Sequence, residues 1–154
     1  MINRVLLAVD ETKGSENVVK AFLDLYACSR PEAVVLLHVQ KPEGRSLMDE
    51  MLGAAEMSTL KEELKGTEHQ RMLDEKAEAV MSHYRKLLEE RGVRGIKEVV
   101  KKGHPAEEIL STAGQEGAGM IIIGSRGRRL HTILLGSVSR EVASRADMPV
   151  MLAK

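Results

Sequence analysis

The 154-residue sequence is poor in aromatic side chains: one phenylalanine, Phe22, two tyrosines, Tyr26 and Tyr84, and no tryptophan. Stacking of nucleic-acid bases on aromatic platforms is therefore closed to it. Net charge is missing too. Lysine and arginine total 23, as do aspartate and glutamate, so no global field draws the chain to nucleic acid or a membrane surface. Uncharged apolar runs reach only about seven residues, against the roughly 20 of a spanning helix. The opening MINRVLLAVDE meets Asp10 too early for a signal-peptide core. We expect a mature cytoplasmic chain with no membrane insertion and no nucleic-acid partner. The lone cysteine, Cys28, excludes an internal disulfide and a cysteine-built zinc site. It falls in a helical pattern, and a buried, inert thiol is expected.

What is present fits an ordinary soluble domain: 43% apolar and 30% charged residues. The length predicts one domain over 1–154 with a core of its own. Five strand candidates appear. RVLLAVD (4–10), AVVLLHV (33–39) and MIII (120–123) are nearly continuous apolar runs, as in strands covered on both faces. KEVVKK (97–102) has charged ends and suits an edge, and PVMLAK (149–154) follows. Helical stripes lie between them. Val18, Phe22, Leu25 and Tyr26 follow Ser15, which can cap. Met72, Leu73, Val80, Tyr84, Leu87 and Leu88 mark a long helix from about residue 68 to Arg91, ended by Gly92. HPAEEIL opens a third helix with Pro105 in its first turn, and SVSREVASRA forms a fourth. This alternation predicts an α/β fold: an open parallel five-stranded sheet with helices on both faces. Residues 40–67 are irregular. Met48, Met51, Leu52 and Ala55 at helical spacing there admit two readings, a packed surface helix or a flap over a site.

Ligands of open α/β sheets bind beyond the carboxyl ends of the strands, where strand order reverses. The first strand runs into Asp10. The fourth leads into IIIGSRGRRLHTILLGSVSREVA, residues 121–143, rich in glycine, serine and arginine. Glycines let a backbone approach a phosphate closely, and a helix N-terminus adds unpaired N–H groups. Ser137 and Ser139 can add hydroxyls; Arg126, Arg128 and Arg129 can add charge or stand solvated. An anion cradle for phosphates is the expectation, with Asp10 taking a hydroxyl or amine. No G-x-x-x-x-G-K-[ST], no G-x-G-x-x-G after the first strand and no G-x-S-x-G occurs. The five histidines form no tight ligand pair in sequence. His38 reads as a satisfied core residue, and His104 and His131 lie on loops near the proposed site.

The hallmark Gly124-Ser125-Arg126-Gly127, then RRLHTILL, then Gly136-Ser137-Val138-Ser139 resembles the universal stress protein family. VLLAVDET, VVLLHV, GHPAEEIL and MPVMLAK match further family segments in the same order. The resemblance covers nearly the whole chain. It implies sheet order 3-2-1-4-5 and a universal stress protein-like nucleotide-binding domain over 1–154, of the ATP-binding branch. Adenosine would sit at positions matching Ala8, Asp10 and Val39, the last through its backbone. Ribose and phosphates would be held by Gly124, Gly127, Gly136, Ser137, Val138 and Ser139. The resemblance thus implies ATP or another adenine nucleotide, with Mg²⁺ or Mn²⁺ as a possible companion. One departure stands out: the segment between Gly127 and Gly136 is a residue shorter than the family pattern, which bears on the number of phosphates accepted.

The leading expectation is a stress-response or signalling binding module whose nucleotide occupancy changes partner contacts. A slow Mg²⁺-dependent ATPase or phosphotransferase is the alternative, though no base and nucleophile are evident and no catalytic residue is assigned. A nucleotide-free interaction protein with an unknown protein partner is the third reading. In the implied strand order the third and fifth strands are edges. KEVVKK is blunted by charge, whereas PVMLAK carries none before Lys154. A homodimer through strand 149–154 follows as the simplest cover.

Overall fold

The computed structural model describes residues 1–41, 59–125 and 135–154. Five strands are β1 (Arg4–Ala8), β2 (Ala33–Gln40), β3 (Ile96–Lys102), β4 (Met120–Gly124) and β5 (Val150–Ala153). Four helices are α1 (Lys13–Ser29), α2 (Thr59–Glu90), α3 (Pro105–Gln115) and α4 (Ser137–Arg145). The sheet is parallel throughout, in the order β3-β2-β1-β4-β5. The expected α/β architecture and strand order are therefore those observed.

The continuous apolar runs are explained by cover on both faces. Val5, Leu7, Val34, Leu36 and Ile122 point to one face, against Val18, Val19 and Phe22 of α1 and Val80, Met81, Tyr84 and Leu88 of α2. Leu6, Val35, Leu37, Ile121 and Ile123 point to the other, against Ala106, Ile109 and Ala113 of α3 and Val142 of α4. Each fully buried large side chain contributes about 1.5–3 kcal/mol, so the central strands carry most of the core. His38 is buried among them, with Nδ1 2.9 Å from the Val9 carbonyl, the satisfied role expected of it. Gly95 has φ +70, and a Cβ there would lie 2.3 Å from the Glu32 carbonyl oxygen. Glycine is what permits β3 to start beside the turn before β2.

Three local expectations need correction. Cys28 is exposed, not buried. It lies six positions after Phe22, off the stripe that α1 turns to the sheet. Ser15 is not the N-cap. That position is Thr12, and Ser15 lies buried inside the first turn. The long helix starts at Thr59 rather than near residue 68, so the irregular stretch 40–67 is partly helix. The stripe of Met48, Met51, Leu52 and Ala55 lies outside the described residues.

All five strands point their carboxyl ends the same way. From β1 the chain passes to β2 on one side, while β4 flanks β1 on the other. Strand order reverses between β1 and β4, the position beyond the strand tips at which open α/β sheets form their ligand crevice.

Candidate functional site

The β1 side of the crevice is a tight polar turn. β1 ends at Ala8, the Val9 N–H still donates to the Leu37 carbonyl (2.9 Å), and Asp10 begins the turn. The Asp10 N–H donates to Ser15 Oγ (2.7 Å), and Ser15 Oγ donates to Asp10 Oδ1 (2.9 Å). The Thr12 N–H donates to the same Oδ1 (2.8 Å), as does the Thr12 hydroxyl. Asp10 Oδ1 is thus committed to the protein, while no bond to Oδ2 is seen among the described residues. Behind this turn stands Tyr84. Burial pushes its phenol above the ordinary 10.0, and the carboxylates of Glu16 and Asp10 add to the rise, so it is neutral at physiological pH.

On the β4 side, Gly124 ends its strand against the first turn of α1. A Cβ on Gly124 would meet the Gly14 carbonyl oxygen at 3.3 Å. This glycine therefore has a packing role in bringing α1 close to β4. The next residue, Ser125, is buried and donates its N–H to the Ala153 carbonyl (2.8 Å). Its own carbonyl accepts the Gly136 N–H at 3.0 Å. That bond closes a neck on the segment between Ser125 and Gly136. Gly127, Arg126, Arg128, Arg129 and His131 belong to this segment and lie outside the described residues.

The neck sets α4 at the crevice. Gly136 is its N-cap, with φ −60 and ψ 155, and provides no side-chain cap. The Arg140 N–H donates to the Gly136 carbonyl (2.9 Å), the first helical bond. The N–H groups of Ser137, Val138 and Ser139 precede it and have no partner within the helix. No acidic residue occupies this first turn, so the positive end of the helix dipole is uncompensated locally. Ser137 is exposed and Val138 is half-buried against the core. Ser139 is buried, and its hydroxyl faces the carbonyls of Gly136 (3.0 Å) and Ser125 (3.3 Å). A hydroxyl has one proton to give. With that proton directed to a backbone carbonyl, what Ser139 has left to donate is its backbone N–H.

Ala8 and Val39 are half-buried and share the face covered by α3 and α4. The structure thus brings Ala8, Asp10, Val39, Gly124, Gly136, Ser137, Val138 and Ser139 to one end of the sheet. Thr12 and Ser125 were not singled out by the sequence, although each organises a strand tip. For Thr12 the available signal was a short polar side chain just past an apolar run, whereas Ser125 acts through its backbone N–H and carbonyl, which no residue type announces. His104, the N-cap of α3, is exposed, with Nε2 3.9 Å from Glu141 Oε2, while Arg145 Nη1 holds the other Glu141 oxygen at 2.7 Å. Among the described residues no cluster of three or more His, Cys, Asp or Glu side chains is placed to hold a metal ion, and no helix is long and apolar enough to cross a membrane. A separate groove of about 640 Å³ runs between α2 and β3, lined by Gln40, Met81, Arg85, Glu98 and Val100 among others. Arg85 and Glu98 pair across it at 3.4 Å. It lies on the opposite face of the sheet from Ala8 and Val39.

Comparison with known proteins places this geometry in a family. The sequence model of the universal stress protein family matches residues 1–154. The universal stress protein MJ0577 of Methanocaldococcus jannaschii is 35% identical over 161 residues, covering 100% of this chain and 96% of that protein. The solved structure of MJ0577 superimposes with a TM-score of 0.80 at 31% identity, over 100% of this chain and 96% of that one. Two more distant structures share the fold. A universal stress protein solved in complex with cAMP gives a TM-score of 0.65 at 19% identity, covering 99% of this chain and 96% of its own. The universal stress protein of Archaeoglobus fulgidus in complex with dAMP gives 0.64 at 20%, with both chains fully covered. On the match of the family model to residues 1–154, with the 35% identity to MJ0577 over the whole chain, the chain belongs to the universal stress protein family.

Proposed function

We propose that this protein is an adenine-nucleotide-binding stress-response module, with the nucleotide lying across the β1–β4 crevice. The observation that carries this reading is the first turn of α4. Three backbone N–H groups, of Ser137, Val138 and Ser139, stand without helical partners where strand order reverses, held there by the Gly136–Ser125 bond. Such a turn suits phosphate oxygens. Gly136 keeps a side chain away from the phosphate end, Gly127 joins it on sequence grounds, and Gly124 lets α1 close up against the tip of β4 beside them. Asp10, with Oδ1 committed, has Oδ2 to accept a ribose hydroxyl or an amine. Ala8 and the Val39 backbone supply the adenosine end. The ligands of related proteins, cAMP and dAMP, support the adenine assignment.

In this reading ATP or a smaller adenine nucleotide binds in the cytoplasm, accompanied by Mg²⁺ or Mn²⁺ at its phosphates, within one domain spanning 1–154. Occupancy acts by changing contacts with a partner or with a second copy of the chain. Asp10 supports binding rather than turnover: its Oδ1 is held by Thr12 and Ser15, an arrangement that fixes a contact rather than one that cycles a proton. The test is to denature freshly purified protein and identify what it releases, then titrate the stripped protein with ATP, ADP and AMP by calorimetry. Release of an adenine nucleotide and saturable binding are expected. No release, together with no heat from any of the three, would overturn the proposal.

A further inference from the structure

β3 carries a cation whose position the edge role does not explain. Three lysines, Lys97, Lys101 and Lys102, lie along this edge strand. Lys97 pairs with Glu116 at 2.7 Å. Lys102 faces the α2 side, where its charge acts on Asp74. Both are exposed and are enough to discourage strand addition. Lys101 differs: it is half-buried and makes no ion pair among the described residues.

Its register explains where it points. Leu37 stands beside Val99, and Val39 beside Lys101. Paired residues of a parallel ladder share a face, and side chains alternate along each strand. Val39 and Val99 both pack on the α3–α4 side, so Lys101 stands on that side, next to Val39, at the ligand-binding end of the sheet. The backbone there is tied down. The Gly103 N–H donates to the Gln40 carbonyl (3.1 Å), and the Gln40 side chain is held on the opposite face by Asp74 (2.9 Å) and Gln70 (3.2 Å). The tips of β2 and β3 are therefore one braced unit.

We infer that Lys101 is a specificity-determining residue that donates a hydrogen bond to the outer edge of the bound base. The inference rests on the nucleotide reading above. A nucleotide with its phosphates at α4 crosses β1 toward β2, which leaves its base as the part nearest β3. An ammonium group only donates. It pairs with a ring nitrogen or a carbonyl oxygen of the base and gives nothing to an exocyclic amine. Its long stem covers the distance across one strand spacing of about 4.8 Å. Lys101 thus favours bases that turn an acceptor toward β3.

The experiment is displacement of a fluorescent ATP analogue by ATP and by inorganic tripolyphosphate, on wild type, Lys101→Met and Lys101→Arg, with folding checked by circular dichroism. Lys101→Met is expected to weaken ATP about tenfold, the scale of a charged hydrogen bond, and to leave the tripolyphosphate curve unchanged. Lys101→Arg, which keeps the donor, is expected to recover most of the loss. ATP affinity within twofold of wild type in a folded Lys101→Met protein overturns the inference while leaving the nucleotide site standing. An equal loss for ATP and tripolyphosphate also overturns it, since Lys101 would then act on the phosphates. A wild-type protein that binds neither the analogue nor ATP overturns the site and the inference together.

Discussion

Ser15 and Asp10 bond each other twice: the Asp10 N–H donates to Ser15 Oγ at 2.7 Å, and Ser15 Oγ donates to Asp10 Oδ1 at 2.9 Å. The pair ties the tip of β1 to the first turn of α1. Ser15 is only 3% exposed, so truncating it strands a partly buried N–H and removes one of the three bonds to the carboxylate, leaving those from Thr12. Ser15→Ala should destabilise the protein by about 1–3 kcal/mol. Chemical denaturation measures this directly. An unchanged midpoint and slope would mean that water replaces both bonds without loss.

A pH effect follows from Asp74. The hydrogen bond from Gln40 holds its carboxyl below the ordinary 3.8, aided by Gln70 and the charge of Lys102. A depressed folded-state pKa gives stability that is present above the unfolded value and lost as pH falls through the folded one. Wild type should therefore lose part of its melting temperature below about pH 4. Asp74→Asn, which cannot titrate, should show a shallower decline over that window. Melting curves from pH 6 to pH 2 compare the two. Parallel curves would contradict a stabilising role for the ionised carboxylate.

Strand positions and most core residues were legible because cover on both faces demands nearly unbroken apolar runs, whereas the sheet order came from the family resemblance. Runs such as RVLLA and VVLL leave little else possible. The start of α2 was hidden for the opposite reason. Its first turns, TLKEELKGTEH, carry only Leu60 and Leu64 as apolar residues and include Gly66, so periodicity had little to report. Ser15 was misplaced because a serine two residues inside a helix resembles a cap in sequence. The Asp10 bonds that hold it depend on how the β1 turn folds back. At the candidate site the glycines and serines were visible as a motif. The placing of the Ser139 hydroxyl against the Gly136 and Ser125 carbonyls was not, because it depends on the neck formed by Ser125 and Gly136.

β5 is an edge, paired with β4 on one side only. Val150, Met151 and Leu152 are half-buried, and the strand carries no charge. We predict a homodimer in which β5 continues the sheet into its copy across a two-fold axis. Sedimentation at micromolar concentration should give a dimer for wild type. Leu152→Pro, which removes a strand N–H, should weaken it. A wild-type protein that sediments as a monomer would contradict the prediction, as would an undiminished dimer in a folded Leu152→Pro variant.

Nucleotide binding at the first turn of α4 is tested most directly by Ser137→Asp. The residue is exposed and lies in that first turn. A carboxylate there favours the helix by about 0.3–1 kcal/mol through the dipole, so folding is not at risk. The same charge stands where phosphate must approach. Calorimetry with ATP on wild type and Ser137→Asp should show binding weakened at least tenfold in a variant whose melting temperature is equal or higher. Equal ATP affinity in the two proteins would place the phosphates elsewhere and contradict the account.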